Sequence, residues 1–510
     1  MTEDKPYPKP KKPTQYFNRK ALNAIIIVTA ILILVFSQMG EWPNSNDENQ
    51  SPADASQEKD NDITLNANST PLKATKTVLE TLSSVPKTPL SQGRDIDIQN
   101  WTNPKGAKVF FVAAPDLPML DVRVIFDAGA ARDDQLPGLA GLTSDMLLEG
   151  SANYNVDQIA THFEQLGARI STSAHRDMAI VQLRTLTTDK YLNPALTVFA
   201  EIIAKPSFPS SSFARHRKLM LIGLEQEKQS PRSLISKRNF QHLYSNHPYG
   251  IPPNGTNESI RALTIEDLKH FHQRYYVAQN VVIALVGDIT RQQAETIANQ
   301  ITQEILPGKH APTIADVVVL DNPVVDHIEH PTQQTHILIS THGITRMDKS
   351  YMALYVGNEI FGGSGFSSIL NEEIRQDRGL SYSVYSYFSA MRSQGPFTIS
   401  LQTKTENVNE ALKVVRENLT NFIDKGPTQE QLDTAIQNIT SSFPLNTASN
   451  SSIVSYLGSI GFYSLPLDYL DTFTQKAARV SIDDIKTAFS QVIKPEKMVT
   501  ITLGHKRKDG

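Results

Sequence analysis

An α+β protein built twice on one plan is what this sequence predicts between residues 94 and 510, and two observations predict it. The first is an internal repeat. The strand-like run Leu120–Gly129 has a counterpart in Thr335–Gly343, the helix opening at Asn193 returns at Asn409, and the closing strand Val281–Gly287 returns as Met498–Gly504. These anchors keep their order at offsets of 214, 216 and 217 residues, which marks a duplicated unit. The second is the alternation, in each copy, of β-rich runs with amphipathic helical stretches. That pattern reads as helices packed on a largely antiparallel sheet. The two homologous domains are set at 94–300 and 301–510.

What precedes them is of a different kind. Residues 1–20 form a basic leader, with Lys5, Lys9, Lys11, Lys12, Arg19 and Lys20. An apolar run follows from Ala21 to Met39, and at helical rise it just reaches across a bilayer core. Glu41, Asp47 and Glu48 come next, and no Lys or Arg appears until Lys59. That charge asymmetry predicts a transmembrane anchor with a cytoplasmic N-terminus. A cleaved signal peptide cut near Val35-Phe36-Ser37 is the alternative. Residues 40–93 are rich in Asn, Asp, Ser, Thr and Gln and poor in large apolar side chains, so they read as a disordered tether. For a bacterial chain this predicts a single-pass protein of the inner membrane with a periplasmic body.

Composition removes several functions. A net charge of −4 over 510 residues makes no electrostatic case for nucleic acid. With no cysteine, disulfides, thiolate metal sites and a cysteine nucleophile are excluded.

The informative segment is Gly138-Leu-Ala-Gly-Leu-Thr-Ser-Asp-Met-Leu-Leu-Glu-Gly-Ser151. It resembles the inverted zincin helix of the pitrilysin/insulinase family (peptidase family M16), G-x-A-H-x-x-E-H-M-L-x-x-G-[ST]. Gly138, Ala140, Met146, Leu147, Gly150 and Ser151 stand where that pattern has them. In such a helix two histidines four apart share one face and grip a zinc ion, while the glutamate between them polarises its water. Here Gly141 and Asp145 occupy the histidine positions and Ser144 the glutamate position. The resemblance places a third ligand on a later helix, read at Phe213–Pro231, where Gly223 stands at that position; a one-residue slip brings Ile222 or Leu224 instead. A catalytic zinc needs three protein ligands and an open position, and Asp145 alone does not supply them.

A second segment, Phe361–Tyr385, resembles the family's substrate-binding stretch, in which a Gly-rich turn leads into a helix ending R-x-x-x-x-G-L-x-Y. Arg375 and Tyr382 match that arginine and tyrosine; Arg378 and Tyr385 are the neighbours open to confusion with them. The resemblance implies that the guanidinium meets a substrate carbonyl or carboxylate and the phenol a developing oxyanion. Read without it, Arg375 is a surface helix charge and Tyr382 a packed strand aromatic.

Other groups weigh less. His327, His330, His336 and His342 lack a recognised ligand spacing and read as solvated or capping histidines. His162, His175 and His216 flank the emptied motif. Asp145 and Glu149, four apart, read as a solvated acidic face. The loop His247–Gly255 reads as a structured turn, and Gly362–Gly365 as a flexible turn without the Lys-Ser/Thr of a phosphate loop.

The resemblance, which covers roughly residues 94–506, implies two homologous domains facing each other across a chamber. It further implies the non-catalytic subunit of a two-chain zinc peptidase. Such a chain binds no cofactor itself; Zn²⁺ is expected in a partner carrying H-x-x-E-H, and a peptide is the substrate. A peptidase-derived scaffold without proteolytic role is the alternative. An independent peptidase with a relocated metal site is a third reading, disfavoured by the missing ligands.

Overall fold

The computed structural model describes residues 96–505. The leader, the anchor at 21–39 and the tether at 40–93 lie outside the described residues. Among those described, no helix is long and apolar enough to cross a membrane.

Two sheets form the frame. The first contains β1 (Gln99–Thr102), β2 (Lys108–Ala113), β3 (Met119–Phe126), β4 (Arg169–Ala174), β5 (Ala179–Leu186) and β6 (Val281–Gly287), in the order β1-β2-β6-β3-β5-β4. The second contains β7 (Val324–Glu329), β8 (Thr335–His342), β9 (Ser381–Phe388), β10 (Pro396–Thr403) and β11 (Val499–Gly504), in the order β7-β11-β8-β10-β9. Apart from the extra β1 the orders coincide. Both sheets are antiparallel except for one parallel pair each, β2 with β6 and β7 with β11. The anchors of the repeat fall on matching strands: β3 aligns with β8 and β6 with β11.

The helices that complete this frame are α1 (Leu139–Met146), α2 (Asp189–Ala204), α3 (Ser210–Glu227) and α4 (Pro231–Tyr244) in the first half. In the second half they are α5 (Val408–Lys425), the repeat of α2, and α6 (Asn450–Tyr463), the repeat of α4. The two equivalent helices α4 and α6 are both started by a serine cap. Ser230 caps α4 through Ser233 N–H with Pro231 in the first turn, and Ser449 caps α6 through Ser452 N–H. Along α5, Ala411, Val414, Val415, Leu419 and Phe422 are buried at helical spacing and form its core face.

The halves exchange helices. The repeat predicts domains that each cover their own sheet; instead α4 of the first half lies on β8 and β11, and α6 of the second lies on β2, β3 and β6. Leu338, Val499, Ile501 and Leu503 of the second sheet form one core with Ile235, Leu243 and Tyr244. His342 Nε2 donates to the Leu243 carbonyl at 2.6 Å, and the Ser340 hydroxyl bonds to Asn239. In the reciprocal contact, Gly461 of α6 meets Phe110 and Val282, where an added Cβ would approach to 2.5 Å, and Gly458 meets Ile125. Glycine is required at both because the helix backbone lies directly on the sheet. Central strands are therefore covered on both faces, which is why β6 and β11 are buried at every residue. This packing brings the halves into direct contact through the exchanged helices.

At the centre of the junction, Asp177, in the turn between β4 and β5, accepts hydrogen bonds from Tyr249 Oη (2.5 Å), Tyr463 Oη (3.0 Å) and Arg392 N–H (2.8 Å). Arg392 lies in the corresponding turn between β9 and β10, so the two equivalent hairpins meet there. Burial pushes the Asp177 carboxyl up, and the three donors oppose it.

Candidate functional site

The motif helix α1 is positioned at both ends. Gly138 takes the left-handed φ of 93° just before it, and Asp133 accepts the N–H groups of Gly138 and Ala140, both at 2.7 Å. This satisfies donors at the helix start that have no partner within the helix. Gly150, at φ 153°, ends the segment. α3 packs against α1, as a helix bearing the third ligand would.

The side chains between them do not make a metal site. Gly141 is half-buried and has only the Pro253 carbonyl near its missing Cβ, at 3.8 Å; Gly223 has nothing within 4 Å. Both places offer room and no donor atom. Ser144 is fully buried, and its hydroxyl lies beside that of Tyr276 without reaching hydrogen-bond geometry. Asp145 is half-buried. Burial pushes its carboxyl up to about 6, opposed by His216 and reinforced by Glu149. On the slipped register, Ile222 is exposed and Leu224 buried, and neither bears a ligand atom. Among the described residues no group of three or more His, Asp or Glu side chains could hold a metal ion. The donor set does not fit zinc.

An ion-pair cluster stands there instead. Glu149 is buried, which corrects its assignment to a solvated acidic face. It accepts from His216 Nε2 at 2.6 Å and pairs with the Arg215 guanidinium, both on α3. Burial raises the Glu149 carboxyl, but hydrogen bonds from His216, Ser212 and Arg215 outweigh that and hold it below the usual carboxylate range. Positive charge facing this end of α1 comes from side chains of α3. Sequence reasoning placed His216 near the motif but missed its carboxylate partner.

The other histidines are dispersed. His162 bonds to the Pro194 carbonyl at 3.1 Å, and His175 lies 3.3 Å from Ser173 Oγ, its imidazole pushed down to about 4 by burial and by Arg123. His327 bonds to Thr502 at 2.9 Å. His342 is buried beneath α4 rather than solvated or capping. The loop His247–Gly255, read as a turn without chemistry, carries the Tyr249 that holds Asp177.

Arg375 and Tyr382 come together on the far edge of the second sheet. The Gly-rich segment and its helix are wound in part as π-helix, over Glu359–Gly363 and Asn371–Gln376, and Arg375 lies in the second stretch. Such wide turns are frequent at functional sites. Gly362 and Gly363 serve close packing, since Cβ atoms there would lie 2.4 Å from Ser386 Oγ and 2.8 Å from Asn358 Nδ2. Gly379, with φ of 60°, turns the chain into β9. The register of β9 on β10 shifts between Leu401 and Thr403, so consecutive residues Tyr382 and Ser383 both face solvent. Tyr382 is 81 % exposed. The Arg375 guanidinium carbon lies 4.8 Å from the centre of its ring and 4.6 Å from that of Phe366. Arg378 is occupied by Glu373, and Tyr385 stacks on Tyr387 at 6.0 Å. Of the two arginines, Arg375 is the one left without a carboxylate among the described residues.

Comparison with known proteins agrees with this frame. Residues 108–257 match the insulinase (peptidase family M16) model, and residues 262–439 match the peptidase M16 inactive domain. A crystal structure described as a peptidase M16 inactive domain from Pseudomonas fluorescens superimposes with a TM-score of 0.78 at 42 % identity, covering 81 % of this chain and 99 % of that one. A protein from Helicobacter pylori named a non-peptidase homolog is 26 % identical over 399 residues, 77 % of this chain and 90 % of its own length. An uncharacterized zinc protease of Bacillus subtilis is 23 % identical over 367 residues, 71 % of this chain and 87 % of its own. With its duplicated sheets, its motif helix lacking a zinc ligand set and these relatives, the chain belongs to peptidase family M16, as an inactive homologue.

Proposed function

We propose that this chain is the non-catalytic subunit of a two-chain zinc peptidase, presenting Arg375 and Tyr382 to a peptide bound at a partner's metal site. One observation carries the reading: the chain whose motif helix keeps only Asp145 as a possible ligand still holds Arg375 beside the exposed Tyr382, with no carboxylate pairing Arg375 among the described residues. In this arrangement the partner carries H-x-x-E-H and the zinc. This chain contributes hydrogen-bond donors, the guanidinium for a substrate carbonyl or carboxylate and the phenol for the oxyanion. In this reading the chamber is closed by the two chains together. The basic leader and the apolar run at 21–39 support an inner-membrane anchor with a periplasmic body.

Affinity capture of the tagged full chain from its native membranes tests this. The expected catch is a chain bearing H-x-x-E-H, with about one zinc per pair, that cleaves unfolded peptides. Arg375→Ala in the captured pair is then expected to lower kcat/KM by roughly 100-fold or more, the scale of a lost transition-state donor. Capture without such a chain, or unchanged cleavage by the variant, sinks the reading and leaves a scaffold.

A further inference from the structure

The aromatic next to Arg375 is a residue that neither motif matching nor the Arg375–Tyr382 pair accounts for. Phe366 occupies the short turn Gly365–Ser367 and is 69 % exposed. A phenylalanine so exposed gains little from folding, yet this one is held in place. Its carbonyl accepts a hydrogen bond from Gln376 Nε2 at 2.8 Å, from the residue following Arg375, and Ser364 and Ser367 close the turn at 3.0 Å. The ring covers one side of the guanidinium at 4.6 Å while Tyr382 contacts it at 4.8 Å. A cation held against aromatic rings in this way spends none of its N–H donors on them. Within the described residues those donors meet no acceptor: Glu373 is taken by Arg378, and neither Glu372 nor Asp377 pairs with Arg375. A planar fork of donors with no acceptor among the described residues, half-buried between two exposed rings, has the makings of a two-pronged carboxylate receptor.

We infer that Phe366, Arg375 and Tyr382 form a subsite for a peptide carboxylate, either an acidic side chain or a free C-terminus, with Phe366 as the residue that positions the guanidinium. This rests on the reading of Arg375 and Tyr382 as substrate-binding and adds to it a substrate class and a third residue. The site selects acidic peptides because a carboxylate takes two parallel charge-assisted bonds from the fork, whereas an amide carbonyl takes weaker ones. Phe366 contributes by fixing the orientation of the fork, so its loss blurs selectivity rather than abolishing attachment of the peptide.

The test is fluorescence anisotropy with labelled, unstructured peptides, on the full-length chain alone and in its captured complex. One pair of C-terminally amidated peptides differs only by Glu against Gln at one internal position. A second pair, free of acidic side chains, differs by a free against an amidated C-terminus. At least one charged member is expected to bind about 10-fold more tightly than its neutral twin, and which pair responds identifies the source of the carboxylate. Phe366→Ala is expected to reduce that ratio to about 3 while leaving the neutral peptide's affinity within 2-fold, and Phe366→Tyr to restore it. Arg375→Lys keeps the charge but lacks the planar fork and is expected to abolish the ratio. Ratios within 2-fold for both pairs in the unaltered protein, alone and in complex, overturn the inference, as does a Phe366→Ala variant that weakens charged and neutral peptides alike. Should peptides be cleaved in the captured pair without such selectivity, the subunit reading stands and only this inference falls. If no peptide binds in either form, both fall.

Discussion

At the scale of single residues, the emptied motif has two carboxyl groups with opposite relations to pH. Asp145 has its pKa pushed up to about 6, above the ordinary 3.8 of an unfolded aspartate. The cost of its ionisation in the folded chain is therefore full above pH 6, shrinks as pH falls toward 4, and vanishes only below the unfolded value of 3.8, where both states hold the proton. Asp145→Asn is expected to stabilise the protein by about 1 kcal/mol at pH 8, discounted for partial solvent contact, and to differ little from the parent at pH 4. Urea denaturation at the two pH values measures it. Glu149 has the reverse sign. Its carboxyl is held low by His216, Ser212 and Arg215, so its contribution is present above the ordinary glutamate range and is lost as pH falls. Glu149→Gln is expected to cost about 1–3 kcal/mol at pH 7 by leaving Arg215 and His216 poorly matched, and less at pH 4. The residue types at 141, 144, 145 and 223 were legible in the sequence as an absence of ligands. The replacement of a metal by the Glu149–Arg215–His216 cluster was not, because nothing in the spacing of 149 and 216 announces that α3 carries its cations to that end of α1.

At the scale of elements, two helix glycines separate packing from propensity. Gly461 lies in α6 against Phe110 and Val282, and any Cβ there overlaps them. Gly461→Val is expected to cost at least 1–3 kcal/mol through overpacking, read as a lowered urea midpoint. Gly223 lies within α3 with nothing near its missing Cβ, so Gly223→Ala is expected to raise stability by about 0.5–1 kcal/mol from helix propensity alone. Of the strands of the repeat, β6 was readable as a near-continuous apolar run, the mark of a fully covered strand, and β3, β8 and β11 as β-branched and apolar residues interrupted by polar ones. The π-helical winding around Arg375 was not readable, since a one-residue widening of a turn leaves the apolar spacing of Ile374 and Leu380 almost unchanged. Nor was the destination of α4 and α6. An apolar helix face records that it will be buried; it does not say against which sheet.

At the scale of the whole molecule, that destination determines how the protein comes apart. Each sheet loses a covering layer if the other half unfolds, and Asp177 loses Tyr463 and Arg392 together. Chemical unfolding is expected to show one transition, with Trp101 fluorescence, which reports the first sheet, coinciding with far-ultraviolet circular dichroism across the chain. Two separated transitions would show the halves to be independent after all. Duplication was visible in the sequence as offsets near 215 residues; cooperation between the copies depends on contacts such as Gly458 with Ile125 and His342 with Leu243, which no periodicity encodes.

The exchange of α4 and α6 also limits how such a chain can have changed over time. A recombination event joining the first half of this protein to the second half of a distant relative would bring in a helix shaped for a foreign sheet and discard the one this sheet was fitted to. A substitution on β6 is felt on α6, far along the chain, so exchanging one half alone would leave both sheets under a mismatched cover.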